Sequence, residues 1–137
     1  IVKPLIAVAD MQVKVKVVLG TVKGDLHDIG KNLVRIMMES SGLEVIDAGI
    51  DISPERFMEV IREHNPDILA MSALLTTTMV NMKSTIEMLV EEGLRDKVKV
   101  IVGGAPVSQE FANTIGADGF AADAASASDL CKALIAN

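Results

Sequence analysis

The chain has 137 residues, half of them hydrophobic and 23% charged, with a formal net charge of -6. A chain of that size buries one continuous core, and the composition is that of a globular protein, not a disordered one. Thirteen scattered Lys and Arg, three Phe and no Trp or Tyr exclude nucleic acid as the main partner, because phosphate backbones need a basic patch and bases need stacking rings. The apolar runs are far too short to span a membrane. A single cysteine, Cys131, permits no internal disulfide, fits a reducing cytoplasm, and in its apolar surroundings reads as an inert buried thiol.

Residues 1–14 fit no regular pattern. The stretch "IVKPLIAVAD" resembles the tail of a preceding helix and a linker, and with Ile1 in place of a methionine it suggests a preceding partner domain. Residues 15–137 read as one domain. Strand one is expected at 15–22. After it the loop "GTVKGDLHDIGKN", Gly20 to Asn32, is longer than the two to six residues such a link needs. Helix one, 29–42, has Ile29, Leu33, Ile36 and Met37 at helical spacing as its apolar face and stops at Gly42. Strand two is 43–50. Helix two, 53–65, opens with Ser53, Pro54 and Glu55 and closes at Asn65 before Pro66. Then come strand three at 67–74, a long helix at 76–93, strand four at 97–104, a helix at 108–116, strand five at 117–121 and a last helix at 126–137.

Five strands alternating with five helices predict an α/β fold, a doubly wound five-stranded parallel sheet with helices on both faces. The strands are apolar without strict alternation, as when both faces are covered. Ligands of such sheets bind outside the carboxyl ends of the strands. Those ends carry "GTVKGDLHDIG", "SALLTTT", "GGAP" and "FAADAASA". A phosphate loop is a poor match: five residues separate Gly24 from Gly30, and Asn32 follows Lys31 where a magnesium-binding hydroxyl belongs. The glycines at 20, 24 and 30 miss the dinucleotide pattern. A phospho-acceptor receiver fails because Ser72 stands where its aspartate belongs and no lysine lies between Val100 and Cys131. Taken alone, His27 reads first as a loop histidine in solvent or at a helix cap. The methionines read as core filling, with Met79 and Met82 the two that could face a ligand.

Taken together, Asp25-x-His27-x-x-Gly30, Ser72-x-Leu74 and Gly103-Gly104 resemble the D-x-H-x-x-G, S-x-L and G-G pattern of cobalamin-binding domains. The resemblance covers residues 15–137, and it implies that residues 1–14 are the remnant of a preceding helical cap domain and its linker. It is nearest to the corrinoid proteins of methyltransferase systems, which serve methanol, methylamines and methoxylated aromatics, and to the cobalamin module of methionine synthase. It implies a flavodoxin-like, Rossmann-like cobalamin-binding fold and a cobalamin or related cobamide as cofactor. His27 would replace the cobamide's own base as lower cobalt ligand and so be the metal-binding residue. Asp25 would bind its other ring nitrogen, and Thr78 would end the relay.

By the same resemblance the cofactor-binding set comprises Gly24, Asp25, Leu26, His27, Asp28, Ile29 and Gly30, then Ser72, Leu74, Thr76 and Thr78, then Gly103, Gly104 and Ala122. The displaced tail would run beside Gly103 and Gly104, whose missing side chains let backbone approach it. The implied role is a methyl carrier, accepting a methyl group on cobalt(I) from a substrate-specific methyltransferase and delivering it to a second one, with a reductive activator as further partner. It is a subunit rather than a complete enzyme. The alternative is the binding domain of an adenosylcobalamin-dependent mutase, whose loop more often reads "GQDGHDRG".

Overall fold

The computed structural model describes residues 15–136; the cap-and-linker expectation for 1–14 lies outside the described residues. The strands are β1 (Lys16–Val22), β2 (Glu44–Ile52), β3 (Ile68–Ser72), β4 (Lys99–Gly103) and β5 (Gly119–Ala121). Between and after them run α1 (Ile29–Ser40), α2 (Pro54–His64), α3 (Val80–Glu91), α4 (Gln109–Ile115) and α5 (Ala124–Ala136). All strand pairs are parallel, in the order β2-β1-β3-β4-β5. The predicted doubly wound sheet is therefore the observed one, and the strand order reverses between β1 and β3. Among the described residues no helix is long and apolar enough to cross a membrane.

Local chemistry sets most boundaries. The Ser53 hydroxyl accepts from the Arg56 N–H, Pro54 takes the first helical position, and Asn65 closes α2 in the left-handed conformation. Ser108 caps α4 in the same way. Helix α5 starts two residues earlier than expected, because the Asp123 carboxylate accepts from the Ser126 N–H and sets the cap there. The long helix expected over 76–93 is two pieces, a 3-10 turn at Thr76–Thr78 and then α3.

Side chains alternate between the two faces of each strand. One face carries Val18, Val22, Leu69, Met71, Val100 and Val102 and packs on Phe57, Met58, Ile61, Met82, Ile86 and Leu89. The other carries Val17, Leu19, Ile68, Ala70, Ile101 and Ala121 and meets Met38, Ala127 and Cys131. Met82 is fully buried in the first of these cores and Met79 packs against it, so the notion that either faces a ligand is corrected. The apolar stripe of α1 is a second correction. Ile29 is 87% exposed, and Leu33 and Ile36 are about half exposed. The helix instead buries Lys31 and Met38 and half-buries Val34. Burial of the Cys131 thiol pushes its pKa up to about 12, which keeps it inert at neutral pH.

Candidate functional site

The β1–α1 loop, long as it is, is tied down on several sides. The Gly24 N–H donates to the Asp51 carboxylate of β2 at 2.7 Å, and the Asn81 amide of α3 donates to the Lys23 carbonyl at 2.7 Å. The Asp51 N–H in turn donates to the Asp25 carbonyl. Gly24 sits at φ +85°, a backbone conformation that a side chain disfavours. The loop thus leaves β1, turns sharply at Gly24 and sends Asp25 inward and His27 outward.

Asp25 is fully buried and collects donors from two directions. Its Oδ2 accepts from the Leu74 N–H at 2.7 Å, the Leu75 N–H at 3.2 Å and the Thr78 hydroxyl at 2.8 Å. Its Oδ1 accepts from the His27 N–H at 3.2 Å and lies 2.8 Å from His27 Nδ1. Burial alone would raise the pKa of this carboxyl. The hydrogen bonds from Leu74, the His27 ring, Thr78 and the His27 backbone more than reverse that, and hold it well below the usual carboxylate range. Gathering Leu74, Leu75 and Thr78 onto one carboxylate also explains why the chain enters α3 through a 3-10 turn.

An ionised carboxylate only accepts, so Nδ1 carries the ring proton of neutral His27 and Nε2 carries the lone pair. The His27 side chain is half exposed. Nε2 makes no hydrogen bond among the described residues. A buried anion therefore fixes the tautomer and aims a free imidazole donor off the sheet rim.

Beside His27 a cavity of ≈ 390 Å³ opens between the sheet and helices α1 and α5. Its floor is built in rows across the strands. Thr21 pairs with Ser72, Ser72 with Gly103 and Gly103 with Ala121. One row deeper, Leu19 pairs with Ala70, Ala70 with Ile101 and Ile101 with Gly119. The outer row offers two hydroxyls and two minimal side chains, and the inner row mixes large with small. Met38 from α1 and Ala127 from α5 line the space from above.

Of the residues singled out from the sequence, His27, Gly30, Ser72, Leu74, Gly103, Gly104 and Ala122 line this cavity. Asp25 lies behind His27 and is bonded to it, and Thr78 is bonded in turn to Asp25. Leu26 and Ile29 are exposed at the rim, Asp28 bonds Asn32 at the start of α1, and Thr76 is exposed in the 3-10 turn. Gly24, Leu26, Asp28, Ile29 and Thr76 do not line the cavity. Gly103 and Gly104 have a further reason to be glycine. A Cβ on Gly103 would lie 2.9 Å from the Ala121 carbonyl oxygen, and one on Gly104 would lie 1.9 Å from that of Ala73. The protein's own backbone already demands them.

Among the lining residues left unassigned in the sequence are Thr21, Met38 and Lys31. Thr21 and Met38 look like ordinary strand and helix residues, although the alternation that puts Ser72 on this face puts Thr21 there too. Lys31 is buried at the cavity edge, its ammonium 2.7 Å from both oxygens of Asp47 and 3.2 Å from Asp28.

The B12 binding domain family matches residues 15–131. The dimethylamine corrinoid protein of Methanosarcina barkeri is 52% identical over 120 residues, which is 88% of this chain and 56% of that protein. A cobalamin-binding protein from Desulfitobacterium hafniense DCB-2 superposes with a TM-score of 0.84 at 44% identity, over 88% of this chain and 58% of that one. The methanol:cobalamin methyltransferase complex of Methanosarcina barkeri gives 0.83 at 35%, over 89% and 46%. The chain spans little more than half the length of the first two proteins and less than half of the third. With the match running through every strand and the rim that carries Asp25, His27, Ser72 and Gly103, the chain belongs to the B12-binding domain family.

Proposed function

We propose that this domain holds a cobalamin or related cobamide with His27 as lower axial ligand, and serves in the cytoplasm as a methyl carrier between two methyltransferases. The observation that carries the reading is the free Nε2 of His27, fixed from behind by buried Asp25 and set at the mouth of a mostly apolar cavity. The donor set suits this metal group and not a bare ion. Among the described residues no three His, Cys, Asp or Glu gather as a metal cage, whereas a metal arriving in a macrocycle needs one imidazole more.

When bound, the corrinoid supplies a cobalt that can take up and release a methyl group. The chain's own part is positional. Asp25 keeps the Nδ1 proton in place and so keeps the Nε2 lone pair available. Thr78 and the Leu74 and Leu75 N–H groups keep Asp25 ionised. The cavity would shelter the displaced nucleotide tail, with Ser72 as a polar contact and Gly30 leaving open space above it. Relatives named for dimethylamine systems favour the carrier over the mutase, and the partners proposed are a substrate-specific methyltransferase, a second acceptor methyltransferase and a reductive activator.

The test uses cob(II)alamin and uniformly ¹⁵N-labelled protein. A protein imidazole on cobalt turns the nitrogen triplet of the electron paramagnetic resonance spectrum into a doublet, and His27→Ala removes it. A triplet that survives labelling belongs to the cofactor's own base and refutes the ligand assignment. Adding a methylamine-specific methyltransferase and its substrate should load methyl onto the protein. A rearrangement supported by adenosylcobalamin in place of methyl loading would favour the mutase.

A further inference from the structure

Thr21 is 1% exposed, sits at the carboxyl end of β1 and faces the cavity beside Ser72. Its hydroxyl makes two contacts, one 3.1 Å from the backbone carbonyl oxygen of His27 and one 3.0 Å from the Ser72 hydroxyl. Counting protons fixes the direction of both. A carbonyl oxygen only accepts, so the single Thr21 proton goes to His27. The Ser72 proton must then go to Thr21. The chain runs one way, Ser72 to Thr21 to the His27 carbonyl.

The two ends of that chain matter. One end is the floor of the cavity. The other is the peptide that carries the imidazole, whose ring is already held by Asp25. With both bonds made, His27 is fixed by its ring and by its own carbonyl. Without the Thr21 hydroxyl only the Asp25 contacts would remain, and the half-buried hydroxyl of Ser72 would lose this acceptor.

We infer that Thr21 is a positioning residue for His27: its hydroxyl, supplied with a proton by Ser72, holds the histidine's backbone at the height from which Nε2 reaches the metal. The inference rests on His27 being the axial ligand. It adds a residue that acts through the backbone and not through the Asp25 relay. Hydrogen-bond chains strengthen their members by roughly 10–30% per bond, so the Ser72 end contributes less than the Thr21 end.

Thr21→Val keeps the shape and deletes the hydroxyl, while Thr21→Ser keeps the hydroxyl and deletes a methyl group. Thr21→Ala is the second hydroxyl deletion should the valine variant fail to fold. The probe is cob(II)inamide, a corrinoid without a nucleotide tail, so that loss of a tail contact cannot enter. The readouts are the fraction of cobalt showing ¹⁵N coupling from labelled protein and the dissociation constant of the corrinoid. Losing one hydrogen bond of ordinary net strength corresponds to roughly three- to tenfold in an equilibrium.

Thr21→Val is expected to lower the His27-bound to His27-free ratio three- to tenfold, Thr21→Ser to leave it within about twofold, and Ser72→Ala to shift it the same way by less. If Thr21→Val matches wild type, or Thr21→Ser loses as much as Thr21→Val, the hydroxyl has no positioning role and the inference is overturned with the His27 assignment intact. If wild-type protein itself shows no ¹⁵N coupling, the axial-ligand reading fails and the inference falls with it.

Discussion

Replacing Asp25 by asparagine tests the centre of the site, because the change is nearly isosteric and its consequence can be worked out donor by donor. The carboxylate meets five donors, three on Oδ2 and two on Oδ1. An asparagine must turn its NH₂ toward one set. Toward Leu74, Leu75 and Thr78 it would face two backbone N–H groups and a hydroxyl. Toward His27 it faces one backbone N–H and a ring nitrogen that can give up its proton. The amide therefore settles with NH₂ toward His27, and the imidazole changes tautomer so that Nδ1 accepts and Nε2 carries the proton.

Two costs follow. The His27 N–H is left facing another donor, about 1–3 kcal/mol for an unsatisfied buried group. The three bonds on the other side fall from charge-assisted to neutral, each weaker by of order 0.5–1 kcal/mol. Burying a neutral amide in place of a charge returns part of this, leaving a net loss of about 2–4 kcal/mol. Urea denaturation measures that loss, and two-bond ¹H–¹⁵N spectra of the imidazole report which nitrogen is protonated. If His27 is the metal ligand as proposed, corrinoid affinity should fall about 10- to 100-fold, because the lone pair would sit on the wrong nitrogen. An Asp25→Asn protein whose His27 keeps its proton on Nδ1, or whose stability changes by less than about 0.5 kcal/mol, refutes this reasoning.

Acid should find the same carboxylate. Its folded pKa is depressed, so its contribution to stability is complete above about pH 5 and drains away as pH falls through the unfolded value near 3.9 and beyond. Wild type should therefore lose stability below pH 4 more steeply than Asp25→Asn, and parallel urea-midpoint curves would contradict the assignment. Gly104→Ala puts a Cβ 1.9 Å from the Ala73 carbonyl oxygen on a backbone at φ +126°, and should cost about 3–5 kcal/mol in denaturation experiments. Gly30→Ala should do the opposite: no atom lies within 4 Å of the added Cβ, so the free protein gains about 0.5–1 kcal/mol from helix propensity while corrinoid binding weakens. Equal or tighter corrinoid binding by that variant would show that the space above Gly30 is not used.

Much of this arrangement was legible because it is written locally. Ser53-Pro54 at one end of α2 and Asn65-Pro66 at the other mark a helix by chemistry within a few residues, and the strands declare themselves as apolar runs. The motif at Asp25, His27 and Gly30 could be read because it follows β1, where such sheets bind ligands. What could not be read was orientation. The spacing of Ile29, Leu33 and Ile36 describes an apolar stripe equally well whether it meets a core or stands exposed at a rim. Met79 and Met82 lie just past the rim in sequence, yet the 3-10 turn forced by Asp25 delivers them to the packed face. Thr21 was hidden for a different reason: its importance lies in two partners, one six residues away and one 51 residues away, and nothing in its own neighbourhood names either.

One face of the sheet carries the larger core, and the other shares a smaller core with the cavity. Alternation gives each strand one set of residues for each face, and a slip of one position would exchange them. Such a slip would drive Val18, Leu69, Met71 and Val102 into the space the cavity occupies and would bring Thr21 and Ser72 against the helices. The packed face opposes this. Gly20 leaves room for the Phe57 ring, which would lie only 2.8 Å from a Cβ placed there. Phe57 is itself fully buried among Val18, Val22 and Met71. A ring lodged against the one position of β1 without a side chain favours this seating of α2 on the strand. The register of β1 then decides that Thr21 lies beside Ser72, that Ser72 lies beside Gly103, and that the loop after Val22 begins where Asp25 can meet Leu74. Core packing around Phe57, on the face away from the cavity, thereby supports the strand from which the loop carrying Asp25 and His27 departs.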